Sequence, residues 1–158
     1  MVDGSGGRSD GPFSPERSGG LLTYPLVKLC YSGKYTEAEM IDKISNTGGM
    51  YDYLGTKDMI QIEEMIMSGD KKAKLIMDAF VYQISKEVSM YGATLSGQVD
   101  RIILTGGIAH SSHVTSEVSK MVSYLAPVEI IPGEMEMEAL ALGAVRYLTG
   151  RETPKEYV

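Results

Sequence analysis

The sequence predicts an α/β protein, rich in helix around a small parallel sheet, and three observations carry that reading. The apolar run Ile102-Ile103-Leu104-Thr105 breaks abruptly into Gly106-Gly107, as a buried strand does when it ends by delivering bare backbone to one point. Pro127-Val128-Glu129-Ile130-Ile131-Pro132 is a second short apolar run. Between the two, Val114, Val118, Met121, Val122 and Leu125 recur at helical steps, so the strands are expected to run parallel through a helical crossover.

Residues 1–22 hold Gly4-Ser5-Gly6-Gly7, Gly11-Pro12, Pro15 and Gly19-Gly20, which cannot sustain a regular element and read as an extended loop. A short helix is expected from Tyr24 to Cys30, with Pro25 tolerated in its first turn. Thr36 with Glu39 is a capping-box pattern opening a helix through Met40, Ile41 and Ile44. Gly48-Gly49 interrupts, and Tyr51, Tyr53 and Leu54 are expected in a loop ending near Gly55. Asp58 with Gln61 caps the next helix, which reaches about Met67. Gly69-Asp70 starts the longest one, where Ala73, Ile76, Met77, Phe80, Ile84, Val88, Tyr91 and Leu95 mark one apolar face. Ile102–Leu104 should be a strand buried on both faces, and a helix should begin at about Ser112. The last helix follows Gly133, with Met137, Leu140, Ala141, Ala144, Val145 and Leu148 as its apolar positions and Gly150 closing it.

A chain of 158 residues with 43% hydrophobic content is long enough for one domain with a real core. Its net charge of −6, without any run of Lys or Arg, argues against a nucleic-acid or anionic-membrane surface, because phosphate backbones are bound chiefly through positive charge. Cys30 is the only cysteine, which precludes an internal disulfide and fits a reducing compartment, so a cytoplasmic location is expected. No apolar stretch approaches the roughly twenty residues of a membrane span, and the N-terminus lacks the basic-then-apolar pattern of an export signal. Of the eleven methionines, Met59, Met65, Met77, Met121 and Met137 fall at helical spacing among Ile, Val and Leu and are expected in the core.

The chemistry-bearing candidates are few. Gly106-Gly107 would let a flat ring or a phosphate approach the main chain, although glycines at such a turn also serve only to pack a helix on a sheet. The N–H groups of the helix from Ser112 would add a weak positive pole beside it. Arg17 by its own sequence context is a solvated loop arginine, and a helix cap alone explains Asp58. Glu134, Glu136 and Glu138 read as dipole compensation at a helix start rather than metal ligands. His110 and His113 read as loop and cap residues.

Gly11-Pro12-Phe13-Ser14-Pro15-Glu16-Arg17-Ser18-Gly19-Gly20, Ser32-Gly33-Lys34-Tyr35-Thr36, Asp100 to Ala109, and Pro132-Gly133-Glu134 with Glu136 to Ala141 together resemble the C-terminal portion of a butyrate kinase or branched-chain carboxylic acid kinase of the acetokinase family. The resemblance implies a partial ribonuclease H-like domain of the acetate and sugar kinase–actin superfamily. It also implies a division into residues 1–22, a glycine-rich loop carrying the phosphoryl-site arginine, and residues 23–158, the C-terminal nucleotide-binding domain. Residues 102–109 become the adenosine-binding element, with Gly106, Gly107 and Ile108 along base and ribose. Asp58 matches an acidic position near the nucleotide; the arginine that acetate kinases carry two residues later is Ile60 here. Arg17 matches the arginine at the transferring phosphoryl group, where a planar guanidinium can hold two oxygens of a group gathering negative charge.

The activity so implied is ATP-dependent phosphorylation of a short-chain carboxylate, and its reverse, with ATP or ADP and Mg²⁺ as cofactors and a homo-oligomer as the expected assembly. An acetate kinase or another ATPase of the superfamily is the near alternative; a catalytically inactive nucleotide-binding or assembly module is the other. The family's N-terminal domain, with its Mg²⁺-associated acidic residue and second catalytic arginine, has no counterpart here beyond Val2-Asp3. The chain alone is therefore expected to be inactive, with at most weak adenosine binding, and to self-associate through apolar surface that upstream strands would cover.

Overall fold

The computed structural model describes residues 11–153, so the expectations placed on Val2-Asp3 and the 4–10 stretch lie outside the described residues. Seven helices and two strands follow one another: α1 (Thr23–Cys30), α2 (Glu37–Ser45), α3 (Gly49–Leu54), α4 (Met59–Met67), α5 (Lys71–Thr94), β1 (Ile102–Gly106), α6 (Ser112–Val122), β2 (Val128–Pro132) and α7 (Glu136–Leu148). A short 3₁₀ turn, Gly107–His110, stands between β1 and α6. β1 and β2 pair in parallel with Ile102 opposite Val128 and Gly106 opposite Pro132, and α6 makes the crossover.

Capping chemistry accounts for most helix starts. Thr36 and Glu39 form the reciprocal box of α2, Asp58 accepts the Ile60 N–H, and Asp70 accepts those of Lys72 and Ala73. α5 is the central helix and packs against α3, α4 and α6. Phe80, Met77, Ile62, Met50, Val118 and Val122 form the tightest part of the core, into which Phe13 inserts against Phe80 at a ring separation of 5.6 Å.

Four expectations are corrected. Residues 49–54 form helix α3 rather than a loop, because Gly49 takes a positive φ of 58° that admits Ser14 and Pro15 carbonyls to the Met50 and Tyr51 N–H groups. The described part of the first loop has no regular structure, in keeping with the expectation, and is tied down by those bonds and by Ser18 N–H to Ile44 and Gly48 N–H to Glu16. β1 is buried on one face only: Ile102 is 7% exposed but Ile103 55%, since α5 and α6 cover a single side of the two-stranded sheet. Of the five methionines expected inside, Met77 is fully buried and Met59 and Met65 half-buried, while Met121 and Met137 are exposed. Met137 goes with the whole of α7, which has no buried residue, as α1 has none. Tyr91 and Leu95 likewise end on the surface, while Gly92 between them is the position buried there, against Leu125.

Candidate functional site

β1 ends by turning the chain at Gly106, whose φ of 85° with ψ of −177° belongs to glycine, and the 3₁₀ turn that follows faces the start of α4. Between them lies a cleft of about 600 Å³. Gly107, Ile108, His110 and Ser111 line one side; Asp58, Met59, Ile60 and Glu63 line the other. A methyl group built on Gly107 would meet nothing within 4 Å, so this backbone is open to an incoming flat group.

The cleft is held open by a specific cross-tie. The Ser111 hydroxyl donates to the Glu63 carboxylate from across the gap, and the same oxygen accepts the Val114 N–H at 3.1 Å as the cap of α6. The first-turn N–H groups of α6 are thus partly used by their own cap, and the 3₁₀ turn separates them from the paired glycines, which tempers the positive pole expected there. Asp58 keeps its cap bond to Ile60 N–H at 2.9 Å, which leaves its second carboxylate oxygen for another donor.

The lining carries two carboxylates, one imidazole and no lysine or arginine. Such a wall accepts hydrogen bonds and repels phosphates, so it suits the hydroxyl-bearing, uncharged end of a nucleotide. Among the described residues no three His, Cys, Asp or Glu side chains converge as a metal site.

Of the residues singled out in sequence, Asp58, Gly107 and Ile108 meet in this cleft, and Gly106 stands just before it as its hinge. Arg17 does not line it. Arg17 is half-buried in the 11–20 loop, with its N–H on the Ser14 hydroxyl at 2.9 Å and its carbonyl on Ser14 N–H. The two regions are nonetheless linked through their neighbours, Glu16 and Lys57, whose charged ends are 2.5 Å apart. Glu63 and Ser111 escaped the sequence reading. Helical spacing from Met59 and Ile60 could have put Glu63 on the Asp58 side of α4, and Ser111 was recognisable as a cap.

The acetokinase family profile matches residues 16–134. The chain belongs to the acetokinase family. This acetokinase-family chain is 48% identical over 157 residues to a probable butyrate kinase 2 of Caldanaerobacter subterraneus subsp. tengcongensis, covering 99% of its own length and 44% of the relative's. With butyrate kinase 2 of Clostridium acetobutylicum the identity is 47% over 148 residues, 94% of the chain and 42% of the relative. The chain therefore spans less than half the length of these curated relatives. The same fold occurs in crystal structures of Porphyromonas gingivalis acetate kinase, with a TM-score of 0.76 at 21% identity over 86% of this chain and 41% of that one. It occurs again in a Francisella tularensis propionate kinase, with a TM-score of 0.72 at 18% identity over 81% and 39% of the two chains. The helix-rich acetokinase-family fold with its small parallel sheet is thus the partial domain that the sequence predicts.

Proposed function

We propose that this chain supplies the nucleoside-binding half of a carboxylate kinase that moves the γ-phosphoryl group between ATP and butyrate or a branched-chain acid. The observation that carries the proposal is the convergence of Asp58, Gly107 and Ile108 on one cation-free cleft, in a chain whose curated relatives are butyrate kinases. The base and ribose lie along Gly106, Gly107 and Ile108, and the free carboxylate oxygen of Asp58 receives a sugar hydroxyl. Arg17 serves the other end. A substrate carboxylate oxygen attacks the γ-phosphorus as the bond to the β–γ bridging oxygen breaks, giving an acyl phosphate and ADP, and the Arg17 guanidinium holds equatorial oxygens while charge spreads over them. Mg²⁺ accompanies the nucleotide and screens its phosphates.

In-line transfer needs charge stabilisation from both walls of a cleft, so this chain alone binds nucleotide without turning it over. Catalysis is expected on joining it to the part of the Clostridium acetobutylicum relative that it does not cover. Hydroxylamine trapping of the acyl phosphate, run with butyrate, branched-chain acids, propionate and acetate, reads both the activity and the acid preferred. No acyl phosphate from any acid would overturn the kinase reading, and a preference for acetate would move it to the acetate kinase alternative. Titration of the chain itself with ATP and Mg²⁺ should show saturable binding that Gly107→Val abolishes.

The exposed apolar residues of α1 and α7, among them Tyr24, Val27, Leu140 and Leu148, favour a second role in assembly, in a homo-oligomer. Sedimentation at several concentrations tests it: an assembly persists on dilution, whereas a monomer at every concentration excludes it. No helix among the described residues is long and apolar enough to cross a membrane. Dependence on ATP fits the cytoplasm as the working compartment.

A further inference from the structure

The cleft that suits a nucleoside leaves its phosphates without a counter-charge. Asp58 and Glu63 line it, and neither lysine nor arginine does. A polyphosphate must therefore run out of the cleft towards positive charge. Lys57 precedes Asp58 in the chain, and its ammonium group reaches Glu16, the neighbour of Arg17, at 2.5 Å across 41 residues of sequence. It is thus the cation anchored where the edge of the cleft meets the arginine loop. Three other lysines are paired elsewhere: Lys43 faces Asp52, Lys74 pairs with Asp78, and Lys120 with Glu117.

We infer that Lys57 is a phosphate-binding residue of the nucleotide site, held in place by Glu16 until the polyphosphate arrives and then shared with it or transferred to it. The inference rests on reading the cleft as the nucleoside site. The exchange is physically easy. The Lys57 and Glu16 side chains are 58% and 39% exposed, and a pair so open to water is worth little, whereas a phosphate presents more charge and more acceptor oxygens than one carboxylate. Position 60, where acetate kinases are expected to carry arginine, is occupied by Ile60, which is 70% exposed at the rim of the cleft and supplies no charge. Lys57 brings a cation to the same stretch of chain from three residues earlier.

Two substitutions separate a phosphate-binding lysine from a merely structural ion pair, because both break the pair but only one removes the cation. Adenosine, AMP, ADP and ATP are titrated calorimetrically into the wild-type chain, Lys57→Met and Glu16→Gln at fixed ionic strength. Lys57→Met should weaken ATP and ADP about tenfold, AMP less, and adenosine less than about twofold. Glu16→Gln should tighten ATP about threefold by removing the competing carboxylate. Lys57→Arg should retain most of the ATP affinity, and wild-type affinity for ATP should fall with added salt while that for adenosine holds. Equal weakening of adenosine and ATP by both substitutions would make the pair structural and overturn the inference, as would ATP binding indifferent to Lys57→Met. Failure of adenosine and ATP alike to bind the wild-type chain would overturn the nucleoside reading itself, and this inference with it.

Discussion

Ser111 and Glu63 are joined across the candidate cleft by a hydrogen bond whose donor hydroxyl also caps α6, so a single side chain sets both the start of that helix and the distance of the glycine turn from α4. Ser111→Ala removes both functions and should cost about 1 kcal/mol in a urea denaturation. Ser111→Asn offers an oxygen to Val114 and an amide to Glu63, so it should stay near wild type. Ser111→Asp keeps the cap but sets carboxylate against carboxylate, a loss that Glu63→Gln should restore. A Ser111→Asp variant as stable as the wild type would show that the tie contributes nothing.

Asp58 has a structural task and a proposed one, and these can be separated. Asparagine caps a helix as well as aspartate does, so Asp58→Asn should leave stability within a few tenths of a kcal/mol while Asp58→Ala loses about 1 kcal/mol. Nucleoside affinity should fall in both, since each loses the anionic acceptor. Undiminished binding in the asparagine variant would leave Asp58 as a cap alone.

Gly49 and Gly107 should respond in opposite ways. A Cβ at Gly49 would lie 2.0 Å from the Ser14 carbonyl oxygen and 2.6 Å from that of Arg17, at a φ of 58°. Gly49→Ala is therefore expected to cost about 3 kcal/mol or more and to release the loop that carries Arg17. At Gly107 the added atoms meet open space, so Gly107→Val should keep a near-native denaturation midpoint and lose nucleoside binding. Equal midpoints for the two variants would contradict this packing.

The capping box of α2 carries a pH dependence. The Thr36 N–H and hydroxyl donate to the Glu39 carboxylate at 2.7 and 2.9 Å and hold its pKa below the ordinary 4.5. A carboxyl lowered on folding adds stability above its unfolded pKa and loses it as pH falls through the folded one, so α2 should loosen only on acidification below about 4.5. A ¹³C titration of the Glu39 side chain measures this directly, and a midpoint at or above 4.5 would exclude the box in solution. In Glu39→Gln the loosening should vanish.

Local chemistry was sufficient for much of this protein. Thr36 with Glu39, Asp58 and Asp70 announce helices because a cap acts over three or four residues, and the apolar face of 73–88 announces a packed one because its repeat matches the helix. The paired glycines after Leu104 likewise marked where backbone would be exposed, and Gly107 and Ile108 do line the cleft.

What local pattern could not carry is distance across the chain. α3 exists because carbonyls of the 14–17 loop reach the 49–51 backbone, and no window of sequence around Tyr51 contains that contact. Which face of β1 is covered, and that Met137 lies outside while Met77 lies inside, depends on which elements pack against them, since apolar periodicity reports a face but not its partner. The same reason hid the Ser111–Glu63 tie and the Glu16–Lys57 pair: spacing can put Glu63 on a face of α4, but each partner lies dozens of positions away and only the tertiary fold brings the two together.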